Sequence, residues 1–246
     1  IANAQRKGVS SMAKPKVLGV IMDIEIKYAP SGTAAICKLN PGEVLVAESG
    51  ALMALKGKVQ FETTTRQRTG GGVIAGVKRL VSGESFFINR FTAKEVCQVW
   101  LGTALPGDIS VHELRGEKFI IQGGSYIACE ETVHIDLEWQ GLKTLFSGES
   151  LFWVKAKGHG KVLIGSFGFI YPIQVKGEYL VDTSHIVAFE ETLDFEISKN
   201  NRSWLGALLG GEGFVCRFRG NGTVWCQSHN PKAFGYTLRP YLKKKT

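Results

Sequence analysis

Hydrophobic and polar residues alternate along much of this chain, in short runs that glycine-rich segments separate. In 133–138 the odd positions are apolar and the even positions are polar, and 193–197 repeats this alternation. Because successive side chains of a strand point to opposite faces, such runs predict half-buried strands with one wet face. No apolar run approaches the roughly 18 residues that a membrane helix needs. The pattern predicts an all-β protein with little helix.

Three sequence anchors recur in one order, which predicts three degenerate copies of a strand-rich unit. The first anchor is a short strand ending in a Gly-Glu turn, at 34–43, 109–117 and 171–178. The second is an alternating strand, at 59–63, 130–138 and 190–198. The third is a Gly-Glu start of a hairpin, at 82–87, 147–152 and 210–215. We expect these hairpins to turn at residues 158–160 and 220–222, where glycine supplies the positive φ that tight turns need.

The repeats divide the chain into one β domain and two basic ends. The domain spans 17–230, with units at about 34–108, 109–170 and 171–230, and a basic N-terminal extension (1–16) and C-terminal tail (231–246) flank it. Short apolar segments at 73–80, 142–146 and 203–209 are the helical candidates. They would cap a barrel end, pack at a subunit interface or dip into a membrane surface.

The net charge of +8 is concentrated at the two ends. Nine basic residues and no acid lie within 1–22 and 231–246, which leaves 21 basic and 22 acidic residues in the body. Basic ends would suit RNA, an anionic membrane surface or a protein partner, and solvated tails are the plainer interpretation. The acid-free 1–16 segment suits the remainder of an organellar transit peptide or a vector-derived segment.

Five cysteines without a C-x-x-C pattern predict neither a disulfide framework nor a zinc site. We expect a soluble intracellular protein in a reducing compartment. Cys216 and Cys226 lie five residues either side of Asn221, so the predicted hairpin would place them opposite each other as two buried thiols or a redox pair.

The order of several motifs resembles the altered inheritance of mitochondria family. The resemblance covers about 17–230 and rests on PGEVLVAESGALM, GGGVIAGVKRLVSGESFFINRFTA, LPGDI, QGLKTLFSGESLF, DTSHIVAFEETLDFEI and GGEGFVCRFRGNGTVWCQS. It implies a fold akin to the tryptophan-RNA-binding attenuation protein: a double-stranded β-helix, barrel-like, with pseudo-threefold character. It also implies homo-oligomerisation, a cytoplasmic location in bacteria and a mitochondrial one in eukaryotes. It carries no catalytic residue.

The conspicuous polar residues recur between units, which favours a role in the fold. The acidic pairs at 130–131 and 190–191 are adjacent on strands, so their carboxylates point to opposite faces and cannot flank one bond. The glutamates at 84, 149 and 212 recur three times. His185 follows Asp-Thr-Ser, but adjacency in sequence does not make a catalytic triad, and we interpret this segment as a local turn. The histidine spacing predicts no metal site.

Unrepeated and basic positions are the better candidates for partner contact. They are the glycine-rich insertion 67–81, which lacks a nucleotide-binding motif, and two alternating basic strands that could align into a stripe for phosphates. The candidate residues are Gly71, Gly72, Lys78, Arg79, Lys155, Lys157, Arg217 and Arg219.

The leading functional hypothesis is a non-enzymatic scaffold or interaction protein that self-assembles and is linked to mitochondrial or membrane organisation. The alternative is a ligand- or RNA-binding module of the attenuation-protein type. An enzyme would need His185 or His112 clustered in space with carboxylates. The sequence predicts no cofactor and shows no site for a small-molecule substrate.

Overall fold

The computed structural model describes residues 22–64, 87–139, 152–199 and 214–242, and strands dominate these ranges. The first strands are β1 (Asp23–Lys27), β2 (Ala34–Leu39), β3 (Val44–Glu48), β4 (Leu52–Lys56), β5 (Val59–Thr64), β6 (Ile88–Ala93) and β7 (Cys97–Gly102). Next come β8 (Ile109–Gln122), β9 (Tyr126–Glu130), β10 (Val133–Trp139) and β11 (Phe152–Gly165). The last are β12 (Ile170–Asp182), β13 (Ile186–Glu190), β14 (Leu193–Lys199) and β15 (Phe214–Gln227).

The strands form two antiparallel sheets. A four-stranded sheet has the order β1-β2-β7-β4. An eleven-stranded sheet runs β12-β15-β13-β8-β11-β9-β3-β6-β5, with β10 also on β11 and β14 also on β15. Within the described ranges both sheets are open, so the barrel-like closure that we expected does not appear there. The all-β prediction is confirmed.

The predicted hairpins at residues 158–160 and 220–222 are wrong. β11 and β15 run through these positions as single strands of 14 residues. The glycines mark the place where each long strand changes partner: β11 pairs with β10 before Gly160 and with β9 after it. Gly160 has φ +148°, and a Cβ there would lie 2.5 Å from Glu130 Oε2. Glycine is therefore needed for a close approach at a bulge rather than for a turn.

The Gly-Glu turn that we predicted for every unit forms only in the first. β2 ends at Leu39, and Glu43 N–H donates to the Asn40 carbonyl at 3.0 Å before β3 begins. In the other two units β8 and β12 continue through Gly116 and Gly177 without a break. The prediction of a turn is wrong at those two places, since glycine at positive φ is also tolerated within a long strand.

Three hydrophobic clusters form the core, and each draws on a different part of the chain. The first is built mainly from β1–β7, the second from β8–β11 and the third from β12–β15. The alternating strands β10 and β14 lie as predicted: Val133 and Leu193 are buried, whereas His134 and Asp194 are exposed.

One helix, α1 (Pro231–Leu238), lies where we predicted a solvated tail. Asn230 caps it by accepting from the N–H groups of Lys232 and Ala233, and Pro231 suits the first helical turn. All of its residues are exposed. The predicted helical segments 73–80, 142–146 and 203–209 lie outside the described residues. Among the residues described, no helix is long and apolar enough to cross a bilayer.

Candidate functional site

The glycine-rich insertion falls outside the part of the chain that the structure describes. Its four partner-contact candidates therefore stay predictions: Gly71, Gly72, Lys78 and Arg79.

The arginines of β15 are engaged by acidic residues of neighbouring strands. Arg219 Nε lies 3.0 Å from Glu178 Oε2 on β12, and Arg217 Nε lies 3.7 Å from the other oxygen of that carboxylate. Glu196 on β14 lies 3.9 Å from Arg219 as well. These pairs are largely exposed, so each contributes little to stability. Their main effect is to neutralise the charge that a bound phosphate would require.

The lysines of β11 do not continue the same stripe. Lys155 pairs across the ladder with Asp136 on β10, and Lys157 pairs with His134. In the sheet, β13 and β8 lie between β15 and β11. The basic residues therefore form two separate patches, and the structure does not bring Arg217 and Lys155 onto neighbouring strands.

The two members of each acidic pair take different roles: Glu130 and Glu190 end β9 and β13, whereas Glu131 and Glu191 lie in the turns that follow, not on the strand as we predicted. Glu130 accepts hydrogen bonds from the N–H groups of Met22 at 2.7 Å and Lys161 at 3.1 Å, beneath the Gly160 bulge. Glu190 accepts from Thr223 N–H at 2.9 Å in the same way. At each place the carboxylate satisfies backbone donors from a segment distant in sequence.

The second member of each acidic pair is exposed and joins strands through an ion pair. Glu131 contacts Arg90 of β6, and Glu191 contacts Lys118 of β8. Both members of each pair therefore serve the fold.

His185 takes part in a local turn and does not meet a serine. Its Nδ1 lies 2.8 Å from the Gln227 carbonyl oxygen, so this nitrogen donates to the backbone. The Ser184 hydroxyl donates instead to Asp182, whose side chain also accepts from the Ser184 N–H. The local-turn interpretation matches this geometry.

His112 is half-buried in an aromatic cluster. Its ring stacks on Phe119 with centroids 4.0 Å apart and meets Trp225 edge-on at 5.2 Å. Desolvation lowers the pKa of His112, although Glu117 and Glu190 act in the opposite direction. Neither histidine lies in a group of three metal-capable side chains, and the described ranges contain no such group.

The five cysteines are free and buried. Cys216 and Cys226 lie on the same strand, β15, ten positions apart in register with Val181 and Tyr171 of β12. The expectation that they face each other across a hairpin is therefore wrong, and no redox pair exists. Burial raises the pKa of both thiols to about 12, which keeps them protonated and inert.

Strand β4 presents an exposed apolar edge. All five of its residues are exposed, including Met53 at 62% and Leu55 at 46%. One side of β4 pairs with β7, and no strand in the described ranges covers the other side. A free edge with apolar side chains is a template for pairing with another strand.

The C-terminal half of β12 presents a second free edge. Tyr179 is 45% exposed and Leu180 is 39% exposed, while the opposite side of β12 pairs with β15 along its whole length. β12 ends the path of the large sheet within the described residues. Neither edge could be found from the sequence, because β4 and β12 read like the strands that are buried elsewhere in the chain.

Comparison with known proteins places this architecture in a family. The chain is similar to an uncharacterised protein of Streptococcus pyogenes serotype M6, with 30% identity over 210 residues, 83% of this chain and 84% of the relative. It also resembles a crystal structure of a Streptococcus pyogenes protein, at 28% identity and a TM-score of 0.74, covering 90% of this chain and all of that one. Residues 24–229 match the profile of a family described as "Mitochondrial biogenesis AIM24". The chain therefore belongs to the AIM24 family, as the motif order predicted.

Proposed function

We propose that this protein is a non-enzymatic interaction protein that self-assembles through its β-rich body. The observation that carries this proposal is the pair of uncovered strand edges on β4 and β12, with apolar side chains facing solvent. Edges of this kind are a liability for a protein that works alone, and natural proteins usually shorten, charge or cover them. Here both edges expose large apolar side chains, which supports use as contact surfaces.

The proposal includes a threefold internal repeat in the manner of a double-stranded β-helix. In support, β8 to β11 and β12 to β15 follow the same order, with 14, 5, 7 and 14 residues against 13, 5, 7 and 14. In the first unit, the pairs β2–β7 and β3–β6 stand where the single pair β8–β11 stands in the second. The first unit is thus a version whose long strands are broken in two.

A non-enzymatic role is supported by how the polar groups are used. The carboxylates of Glu130 and Glu190 accept from backbone N–H groups, and the side chain of His185 contacts a carbonyl. A general base or nucleophile must instead be open to a substrate. The family's bacterial relative is itself uncharacterised, so the role proposed here rests on the geometry of this chain.

Light scattering coupled to size exclusion tests the proposal on the full chain at micromolar concentration. We expect a mass that is a small multiple of 26.9 kDa, since each molecule carries two uncovered edges. A mass of one chain throughout the micromolar range would overturn it.

RNA binding is a second candidate, and the C-terminal helix favours it. Phe234, Tyr236 and Tyr241 are exposed around α1, close in sequence to Lys232 and Arg239. Exposed aromatic rings beside cations are the means by which proteins stack and hold single-stranded nucleic acid. Fluorescence anisotropy with a labelled single-stranded RNA tests this at low salt. Replacing Lys243, Lys244 and Lys245 with Gln should weaken salt-sensitive binding, whereas an absence of binding by the unaltered chain would exclude this candidate.

We further infer that the protein works in a reducing compartment. Five free buried cysteines support this, because an oxidising compartment favours paired ones. Full thiol labelling after unfolding without reductant is the expected result, and a protected pair would contradict it.

A further inference from the structure

Two interior junctions of this chain are built to one plan. β9 pairs with β3 so that Cys129 faces Val46 and Ala128 faces Ala47. β13 pairs with β8 in the same way, with Phe189 facing Ile120 and Ala188 facing Ile121. In each case a five-residue strand of one unit covers the edge of a strand in the preceding unit.

The strands of these junctions have counterparts at the two free edges. β4 pairs with β7 in the same way that β9 pairs with β11 and β13 pairs with β15. β4 therefore occupies, in the first unit, the position of the strands that cover a neighbouring edge. Residues 179–181 of β12 pair with β15 as residues 119–121 of β8 pair with β11, so they occupy the covered position in the third unit. Among the described residues, β4 is therefore a strand of the covering kind that covers no edge. Residues 179–181 of β12 are an edge of the kind that is covered elsewhere, and no described strand covers it.

The residues at the two interior junctions differ in exposure from their counterparts at the two free edges. All five residues of β9 are buried, and four of the five in β13 are buried, whereas all five in β4 are exposed. Phe119 and Ile120 of β8 are buried, whereas their counterparts Tyr179 and Leu180 are exposed. The side chains are apolar in both settings, so what the free edges lack is a partner.

Resting on the self-assembly proposed above, we propose that β4 of one copy pairs antiparallel with the C-terminal half of β12 in a second copy. The register of the two interior junctions fixes the pairing. Leu55 is at the position equivalent to Cys129 and Phe189 in the interior junctions. Leu180 is at the position equivalent to Val46 and Ile120. Leu55 therefore faces Leu180, with Ala54 facing Val181 and Lys56 facing Tyr179.

The interface joins two different edges, so assembly is head to tail. Each copy uses its β4 toward one neighbour and its β12 toward the other, and such contacts form rings or open filaments rather than a closed pair. A second copy is the occupant that the observations favour, because it extends a junction that the chain already forms twice.

Two single substitutions test the inference on the full chain. Leu55→Asp and Leu180→Asp each place a charge on an exposed edge, and both sites are open enough for the folded monomer to accept it. Each should raise the apparent dissociation constant by at least about tenfold and shift the mass in light scattering to one chain at micromolar concentration. Tyr28→Asp is the matched control, since Tyr28 is 70% exposed and follows β1, the strand at the opposite end of the small sheet from β4, and it should leave the assembly unchanged.

Mixing the two variants gives the sharpest readout. The Leu55→Asp chain keeps its β12 edge and the Leu180→Asp chain keeps its β4 edge. An equal mixture should therefore form dimers with one chain of each kind and stop there. An interface between two β4 strands would respond to Leu55→Asp alone and would give no dimer with one chain of each kind on mixing, which would overturn the head-to-tail pairing.

The outcomes separate this inference from the proposed function. If the unaltered chain assembles and both variants assemble equally well, self-assembly stands and the edge pairing fails. If the unaltered chain is a monomer, both fail.

A crosslink distinguishes a second copy from closure within one molecule. Leu55→Cys combined with Leu180→Cys places two thiols at facing positions, while the native thiols are buried. Mild oxidation should give a ladder of linked chains on a non-reducing gel, and either single variant should not. A link within one chain, seen as loss of both new thiols without a gain in mass, would show that the edges close on themselves and would overturn the inference.

Discussion

β4 and β13 pair in similar ways with their neighbouring strands, yet one is exposed and the other is buried. Both are five-residue strands of mainly apolar sequence, LMALK and IVAFE, and both pair on one side with the strand that completes their unit. β13 is buried because β8 covers its other side, whereas β4 is exposed because no described strand does so. Burial in this fold is therefore decided by the neighbouring unit more than by the composition of the strand.

The largest expected effect comes from truncating the aromatic residue of the buried strand. Phe189 is fully buried against Trp153 and Phe218. Phe189→Ala should lower the free energy of unfolding by about 3–5 kcal/mol, because it removes apolar burial and leaves a cavity. Urea unfolding monitored by tryptophan fluorescence measures the change.

The matched substitution at the exposed strand is Leu55→Ala, read at a concentration where the protein is monomeric. It should change the free energy of unfolding by no more than about 0.5 kcal/mol, as expected for a surface position. Equal losses for Phe189→Ala and Leu55→Ala would show that β4 is buried in the monomer and would remove the contrast between the two strands.

A smaller loss of stability is expected from substitution of the charged residue that ends β9, compared with the one that ends β4. Glu130 of β9 satisfies two backbone N–H groups, whereas Lys56 ends β4 at the corresponding position and is exposed. Glu130→Ala should cost about 2–3 kcal/mol, since it leaves buried donors without an acceptor. Lys56→Ala should cost little. Thermal unfolding by circular dichroism compares them, and a loss at Lys56 as large as that at Glu130 would contradict the assignment.

The smallest effect is a pH dependence at the covered junction. Burial beside Phe119 and Trp225 lowers the pKa of His112 below its ordinary value of 6.5. The fold favours the neutral ring, so the unfolded chain binds more protons between the lowered pKa and 6.5. This contribution to stability is complete above pH 6.5 and is lost as the pH falls through that window.

His112→Gln removes this titration, and His134→Gln is the control because His134 is exposed on β10. Unfolding midpoints from pH 5 to 8 should show a flatter profile for the first variant only. A profile that His134→Gln flattens equally would assign the dependence elsewhere.

Periodicity predicted the strand-rich class and the alternating strands correctly. The alternating runs became β10 and β14, with Val133 and Leu193 buried as expected. Repetition also identified the acidic pairs as parts of the fold. These features are local, so side-chain spacing alone reports them.

The sequence misled wherever a glycine serves a contact between distant segments. Gly160 reads as a turn residue, but its missing Cβ leaves room for the carboxylate of Glu130, 30 positions earlier in the chain. The predicted opposition of Cys216 and Cys226 fails for a similar reason, because β15 runs without a turn through residues 220–222. Similarly, the alternation of Arg217 and Arg219 does not reveal Glu178, which belongs to another strand. Register between strands is a tertiary property, and a one-dimensional pattern does not contain it.

At each of the two interior junctions, the strand that is covered is synthesised before the strand that covers it. The edge of β3 waits for β9, and the edge of β8 waits for β13, both of which leave the ribosome later than the strands they cover. Each growing chain thus passes through stages in which an apolar edge is bare, and a chaperone or slow elongation would matter most at those stages. For the last such edge, on β12, the described residues contain no covering strand.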